Sequence, residues 1–241
     1  MTNPTAAMLV IGDEILSGRT REANAYHLAG RLGEVGIDLR EIRVVPDDHA
    51  VIVAALRDLS AAHAHVFTSG GIGPTHDDIT ADAVADAFGV GVEVRDDARA
   101  ALQAAVGPGR TLTDAHLRMA RIPHGADLIE NRISGAPGFR MGNVHVMAGV
   151  PAIFVAMLDA VLPQLEAGRP VVSDELRFEV GEGRIAEPLR DLAAAMPDLS
   201  IGSYPFRDGA VFGTNIVVRG TDPSLVREAM ERLREIHRAV G

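Results

Sequence analysis

The chain has 241 residues, 47% of them hydrophobic, only 4% aromatic and none tryptophan, so a core of useful size must be made of Ala, Val, Leu and Ile, a mix that suits parallel strands covered by helices. A formal net charge of −10 without a basic patch excludes broad attraction to nucleic acid, and the lack of cysteine excludes disulfides, zinc–thiolate sites and cysteine nucleophiles. No apolar run approaches the roughly 18 residues that span a bilayer, and the N-terminus has no basic-then-apolar leader, so the expectation is a cytoplasmic protein without membrane contact.

Residues 6–11 form a short apolar run ending at Gly12-Asp13-Glu14, which predicts a buried first strand and its exit loop. Leu28, Leu32 and Val35 then lie on one face of a helix over residues 21–35, stopped by Gly36. Residues 37–45 predict a second strand, and their interrupting charges place it near a sheet edge. Asp47-Asp48 precede a helical stripe of Ile52, Ala55, Leu56 and Leu59. Residues 65–68 predict the third strand. It runs into Thr68-Ser69-Gly70-Gly71-Ile72-Gly73-Pro74-Thr75-His76-Asp77-Asp78-Ile79-Thr80, and a helix over residues 81–88 follows. Strand and helix alternate three times, as in a parallel sheet wound by right-handed crossovers.

Further on, helices are expected over residues 96–106 and 113–121, with Gly107-Pro108-Gly109 between them. Short strands are expected over residues 126–130 and 143–147, separated by a turn-rich loop containing Ser134-Gly135-Ala136-Pro137-Gly138-Phe139. Gly149-Val150-Pro151 opens a helix whose buried stripe runs from Phe154 to Leu165. Gly168-Arg169-Pro170 marks a boundary, giving domains of residues 1–168 and 169–241. The second reads as a small β-α-β-β-α unit in which Tyr204, Arg207, Thr214 and Asn215 are structural. The expected fold class is α/β: a parallel-rich, three-layer α/β/α domain followed by a small α+β domain.

Ligands of wound α/β sheets bind outside the carboxyl ends of the strands, and here the loops at those ends are polar. Gly70, Gly71 and Gly73 let the backbone turn tightly and approach a phosphate, which free amides and the next helix N-terminus favour. Pro74, Thr75 and Ser69 flank them. Acids beside a phosphate cradle would repel the ligand unless a divalent cation sat between, which makes Asp77 and Asp78 candidate metal ligands and catalytic groups. Asp13 and Glu14 face them as further catalytic candidates. Asn24, Asp48, Ser134, Gly135, Pro137, Gly138, Gly149, Val150 and Pro151 are candidate substrate contacts. Asp48 reads equally as a helix N-cap, and His76 reads as incidental.

Gly12-Asp13-Glu14-Ile15-Leu16, Asp47-Asp48, the Thr68 to Thr80 run and the stretch from Asn143 to Pro151 together resemble the CinA N-terminal family (competence/damage-inducible protein A) of the molybdopterin-binding-domain superfamily. Ile201-Gly202-Ser203-Tyr204-Pro205 and Gly213-Thr214-Asn215 resemble that family's middle module. The resemblance implies a MoaB/MogA-like fold; as a departure from full-length CinA, a stand-alone form without the C-terminal amidohydrolase domain is expected, so no deamidase activity is inferred. The resemblance also implies metal-dependent hydrolysis of ADP-ribose to AMP and ribose 5-phosphate, with Mg2+, Mn2+ or Co2+. Ser69, Gly70, Gly71 and Gly73 would hold phosphate, Asp77 and Asp78 the metal, with Asp13 and Glu14 contributing from the facing loop. The alternatives are a molybdopterin-binding or molybdopterin-adenylylating protein, and a non-catalytic nucleotide-binding scaffold. In each the partner is a small nucleotide, and family analogy implies a homodimer or homotrimer.

Overall fold

Along β1 (Thr5–Ile11) alternate side chains enter two hydrophobic clusters: Ala7, Leu9 and Ile11 one, Ala6, Met8 and Val10 the other. A strand buried on both faces requires cover on both, and the computed structural model, which describes residues 3–240, supplies it. After β1 come α1 (Asp13–Leu16), α2 (Asn24–Glu34), β2 (Asp38–Val45), α3 (His49–Ala62), β3 (His65–Ser69) and α4 (Thr80–Phe88). Next are β4 (Val92–Val94), α5 (Asp96–Val106), α6 (Asp114–Arg118), β5 (Arg121–Pro123), β6 (Asp127–Ile129), β7 (Gly138–Met141), β8 (Val144–Met147) and α7 (Pro151–Val161).

Six strands form one sheet in the order β2-β1-β3-β8-β7-β6. The β1–β2, β1–β3 and β3–β8 pairs are parallel, while β7 runs antiparallel to both β8 and β6. One face packs under Ile52, Leu56 and Leu59 of α3, Val84 of α4 and Leu102 of α5. The other packs under Leu28 and Leu32 of α2 and Phe154, Met157 and Leu158 of α7. This is the expected three-layer α/β/α arrangement, with the charged second strand at the sheet edge.

Several local expectations are corrected. Residues 13–16 make one helical turn rather than an open loop, because the Ser17 amide closes on Asp13 O at 2.9 Å. Gly138 and Phe139, expected in a loop, open β7. A Cβ at Gly138 would stand 2.3 Å from Val146 O, so glycine lets β7 lie tightly against β8. The helix expected to reach residue 121 ends at Arg118, and Arg121 to Pro123 pair instead with β4 in a separate two-stranded sheet.

The chain divides into two compact units between Gly168 and Arg169. The second contains β9 (Val172–Phe178), α8 (Ala186–Ala195), β10 (Ser200–Asp208), β11 (Val211–Gly220) and α9 (Pro223–Val240). Its antiparallel sheet, ordered β10-β11-β9, packs Phe178, Ile216 and Val218 against Leu192 of α8 and Val226, Met230 and Leu233 of α9. Among the described residues no helix is long and apolar enough to cross a membrane.

Candidate functional site

The parallel strands β1, β3 and β8 end on one edge of the large sheet, where the loops after β1 and β3 and the turn before α7 are laced together. Gly70 donates to Met147 O at 3.2 Å, and Asn24 at the start of α2 donates to both Ser69 Oγ and Gly149 O at 2.8 Å. Asn24 and Ser69 are buried, so these two predicted ligand contacts hold the loop from beneath. Gly70 and Gly71 have φ of 108° and 68°, backbone that favours glycine. A Cβ at Gly70 would stand 2.2 Å from Ile11 O, and one at Gly71 would stand 2.1 Å from Thr80 Oγ1.

Thr80 secures the far end of the loop. Its amide donates to Gly71 O at 3.0 Å and its hydroxyl to Gly70 O at 3.1 Å. The next turn is closed by Asp78, whose Oδ2 accepts from the Thr75 amide at 2.8 Å and the Thr75 hydroxyl at 2.7 Å. Between these anchors, the amides of Gly71, Ile72 and Gly73 have no acceptor among the described residues. Pinned at both ends, the loop leaves these three donors unpaired in its middle.

The other predicted residues divide. Asp48 caps α3 by accepting from Val51 N at 3.0 Å. Asp47 instead faces the acids: its Oδ2 accepts from the Asp13 amide at 2.9 Å. Burial lifts the Asp47 carboxyl above the ordinary carboxylate range against the pull of that amide, and the charges on Asp13, Glu14 and Asp77 push it the same way. Asp77 is exposed and held below the usual range by the Thr75 hydroxyl, its own amide, His76 and Arg118. Among the described residues no three His, Asp or Glu side chains converge as a ready metal cage.

Ser134 and Gly135 lie in a turn organised by buried Asn131, whose Nδ2 donates to Ser134 Oγ and Ala136 O and whose Oδ1 accepts from the Ile133 and Ser134 amides. Gly135 packs on Ala105 of α5. Pro137 alone of that turn reaches the glycine loop, lining a recess with Gly71, Gly73, Asp78, Arg118 and Arg121. Val150 is the exposed N-cap residue of α7 and Pro151 its first helical residue. A more open hollow between α3 and α4, at His49, Val53, Arg57 and Asp86, gathers none of these groups.

Sequence reasoning counted Thr80 among the residues flanking the glycine loop but gave it no separate role, and it did not single out Asn131, Arg118 or Arg121. The Thr80 spacing at the helix start was a usable signal. The two arginines lie on α6 and β5, whose approach to the loop only the tertiary fold reveals.

Residues 7–167 match the family model described as "probable molybdopterin binding domain", and residues 170–239 match that of the FAD synthase middle domain. A probable FAD synthase of Caenorhabditis elegans is 32% identical over 257 residues, 96% of this chain and 50% of that protein. A CinA-like protein of Citrifermentans bemidjiense is 38% identical over 206 residues, 83% of this chain and 48% of its own length. The chain thus spans about half the length of these curated relatives. The crystal structure of CinA from Thermoplasma acidophilum, 34% identical with a TM-score of 0.63, covers 67% of this chain and is itself covered to 98%. The chain belongs to the molybdopterin-binding-domain family, in its CinA branch.

Proposed function

We propose that residues 1–168 bind a phosphorylated pterin of the molybdopterin class, together with a nucleotide, through the glycine loop after β3. The supporting observation is the row of unpaired amides at Gly71, Ile72 and Gly73, in a chain of the molybdopterin-binding family. Phosphate oxygens are the acceptors such amides lack. The reaction in this reading is adenylyl transfer: a pterin phosphate oxygen bonds to the α-phosphorus of ATP, the α–β anhydride bond breaks, and pyrophosphate leaves.

A divalent cation fits the residues present. Asp13, Glu14, Asp47 and Asp77 offer hard oxygen donors whose mutual repulsion a cation relieves. Magnesium is commonly held by one or two carboxylates, water and substrate phosphate, which needs no protein cage. Asp77 with Asp13, Glu14 or Asp47 would hold it, whereas Asp78 spends one oxygen on Thr75. When bound, Mg2+, Mn2+ or Co2+ would neutralise charge on the phosphate oxygens.

The acids also favour a second reading, hydrolysis of ADP-ribose. Water would add to one phosphorus, the bridging P–O bond would break, and AMP and ribose 5-phosphate would leave. A carboxylate with a raised pKa, such as Asp47, is the better proton acceptor for that water. One assay separates the readings: the purified chain with ADP-ribose, or with ATP with and without molybdopterin, over the three metals. Pyrophosphate released only with pterin supports transfer, and AMP from ADP-ribose supports hydrolysis. Uptake without product leaves a binding protein, and no uptake contradicts every form of the proposal.

A further inference from the structure

Two arginines, Arg118 at the end of α6 and Arg121 on β5, line the recess beside the unpaired amides. Their surroundings differ. Arg121 is fully engaged: its two terminal nitrogens meet both carboxylate oxygens of Asp82 on α4, at 2.8 and 2.5 Å. That bidentate fork neutralises its charge and fixes β5 to α4. Arg118 makes one hydrogen bond, from Nε to Thr75 O at 3.0 Å, and acts on the exposed Asp77 through its charge; its terminal nitrogens have no hydrogen-bond acceptor among the described residues. Asp78 also borders the recess, but its Oδ2 is committed to Thr75.

We infer that Arg118 is the cationic receptor for the ligand phosphate, latched to the glycine loop through Thr75, while Arg121 serves only to hold the wall of the recess. This rests on the phosphate-binding reading above and deepens it. It assigns the anion to the flank of the loop towards β7, where Pro137 and Phe139 also line the recess. The acids after β1 and β2 follow strands that lie on the other side of β3 in the sheet order. A ligand is therefore held with a dianionic phosphate or diphosphate over Arg118 and the amides, and its cation on the acidic side. A guanidinium with one edge spent on the loop backbone and the other free suits this task better than an ammonium, because it positions two donors in one plane.

The test is calorimetric titration of the full chain with inorganic pyrophosphate and with ADP, each with magnesium. Arg118→Gln should weaken both at least tenfold and flatten the salt dependence of binding, with the unfolding midpoint close to that of the wild type. Arg118→Lys should recover part of the affinity, a rescue that a purely structural role would not give. The paired change Arg121→Gln with Asp82→Asn should bind within about twofold of wild type, since it exchanges an ion pair for two amides. Wild-type affinity in Arg118→Gln would overturn this inference and leave the phosphate site standing. A loss of affinity in the Arg121/Asp82 pair equal to that in Arg118→Gln would overturn the division of roles. If the wild-type chain takes up neither probe, both this inference and the reading beneath it fall.

Discussion

Asn24 and Ser69 lie 45 positions apart and meet in a buried 2.8 Å hydrogen bond beneath the glycine loop. The same Asn24 amide nitrogen also reaches Gly149 O, so one side chain ties α2, β3 and the approach to α7 into a common floor. Asn24→Ala leaves the Gly149 carbonyl and the Ser69 hydroxyl without their donor. Each buried polar group left unpaired costs about 1–3 kcal/mol. Urea unfolding should show that loss, with weaker nucleotide uptake. An unchanged unfolding midpoint would mean that water replaces the amide at no cost.

Gly71→Ala should be more damaging to binding than its size suggests. The added methyl meets Thr80 Oγ1 at 2.1 Å, at a backbone φ of 68°. Strained backbone and overpacking each cost about 1–3 kcal/mol, and relief requires the loop to leave Thr80. Thr80→Val deletes only the hydroxyl bond to Gly70 O and should cost about 1 kcal/mol while loosening the same loop. Denaturation and nucleotide titration of both variants check this order.

Little of this lacing was legible in the sequence. The two-sided burial of β1 and the strand–glycine loop–helix order were, because alternation and glycine spacing are local signals. Which acid faces the site was not: Asp47 and Asp48 are neighbours, and only the helix start at His49 sends one to a cap and the other towards Asp13. Arg118 approaches Thr75 across 43 positions through α6, and no local pattern encodes that distance. β7 was missed because Gly138 reads as a turn residue, although here it permits close strand pairing.

His145 supplies a pH prediction. It is buried on β8, stacked on Phe67 with ring centroids 4.9 Å apart, and neither ring nitrogen has a partner among the described residues. Burial, aided by His65 and Arg140, lowers its pKa from 6.5 to about 3. The folded chain then keeps the ring neutral where the unfolded chain protonates it, so the stability it contributes is complete above the unfolded value. That stability falls as pH drops from 6.5 towards the folded value, by about 1.4 kcal/mol per pH unit. His145→Phe should remove this slope, gaining on the wild type at pH 5 relative to pH 8. Parallel stability curves for the two proteins would contradict the assignment.

Asp47 carries the opposite sign. Its folded pKa is raised, so its ionisation opposes folding as pH rises through that value. Asp47→Asn keeps an acceptor for the Asp13 amide and removes one of the clustered charges. At pH 8 and low salt the variant should be the more stable protein, and magnesium should raise the wild-type midpoint more than the variant's. Equal magnesium responses would take Asp47 out of the cation site.

The account's central claim is that the amides of Gly71, Ile72 and Gly73 receive a ligand phosphate. Backbone 15N–1H spectra of the chain during titration with ADP and magnesium test it residue by residue. The largest saturable shifts are expected at those three amides, with Gly70 and Thr80 moving less because their amides are already bonded within the fold. Shifts concentrated elsewhere, with these three amides unmoved at saturation, would contradict the claim.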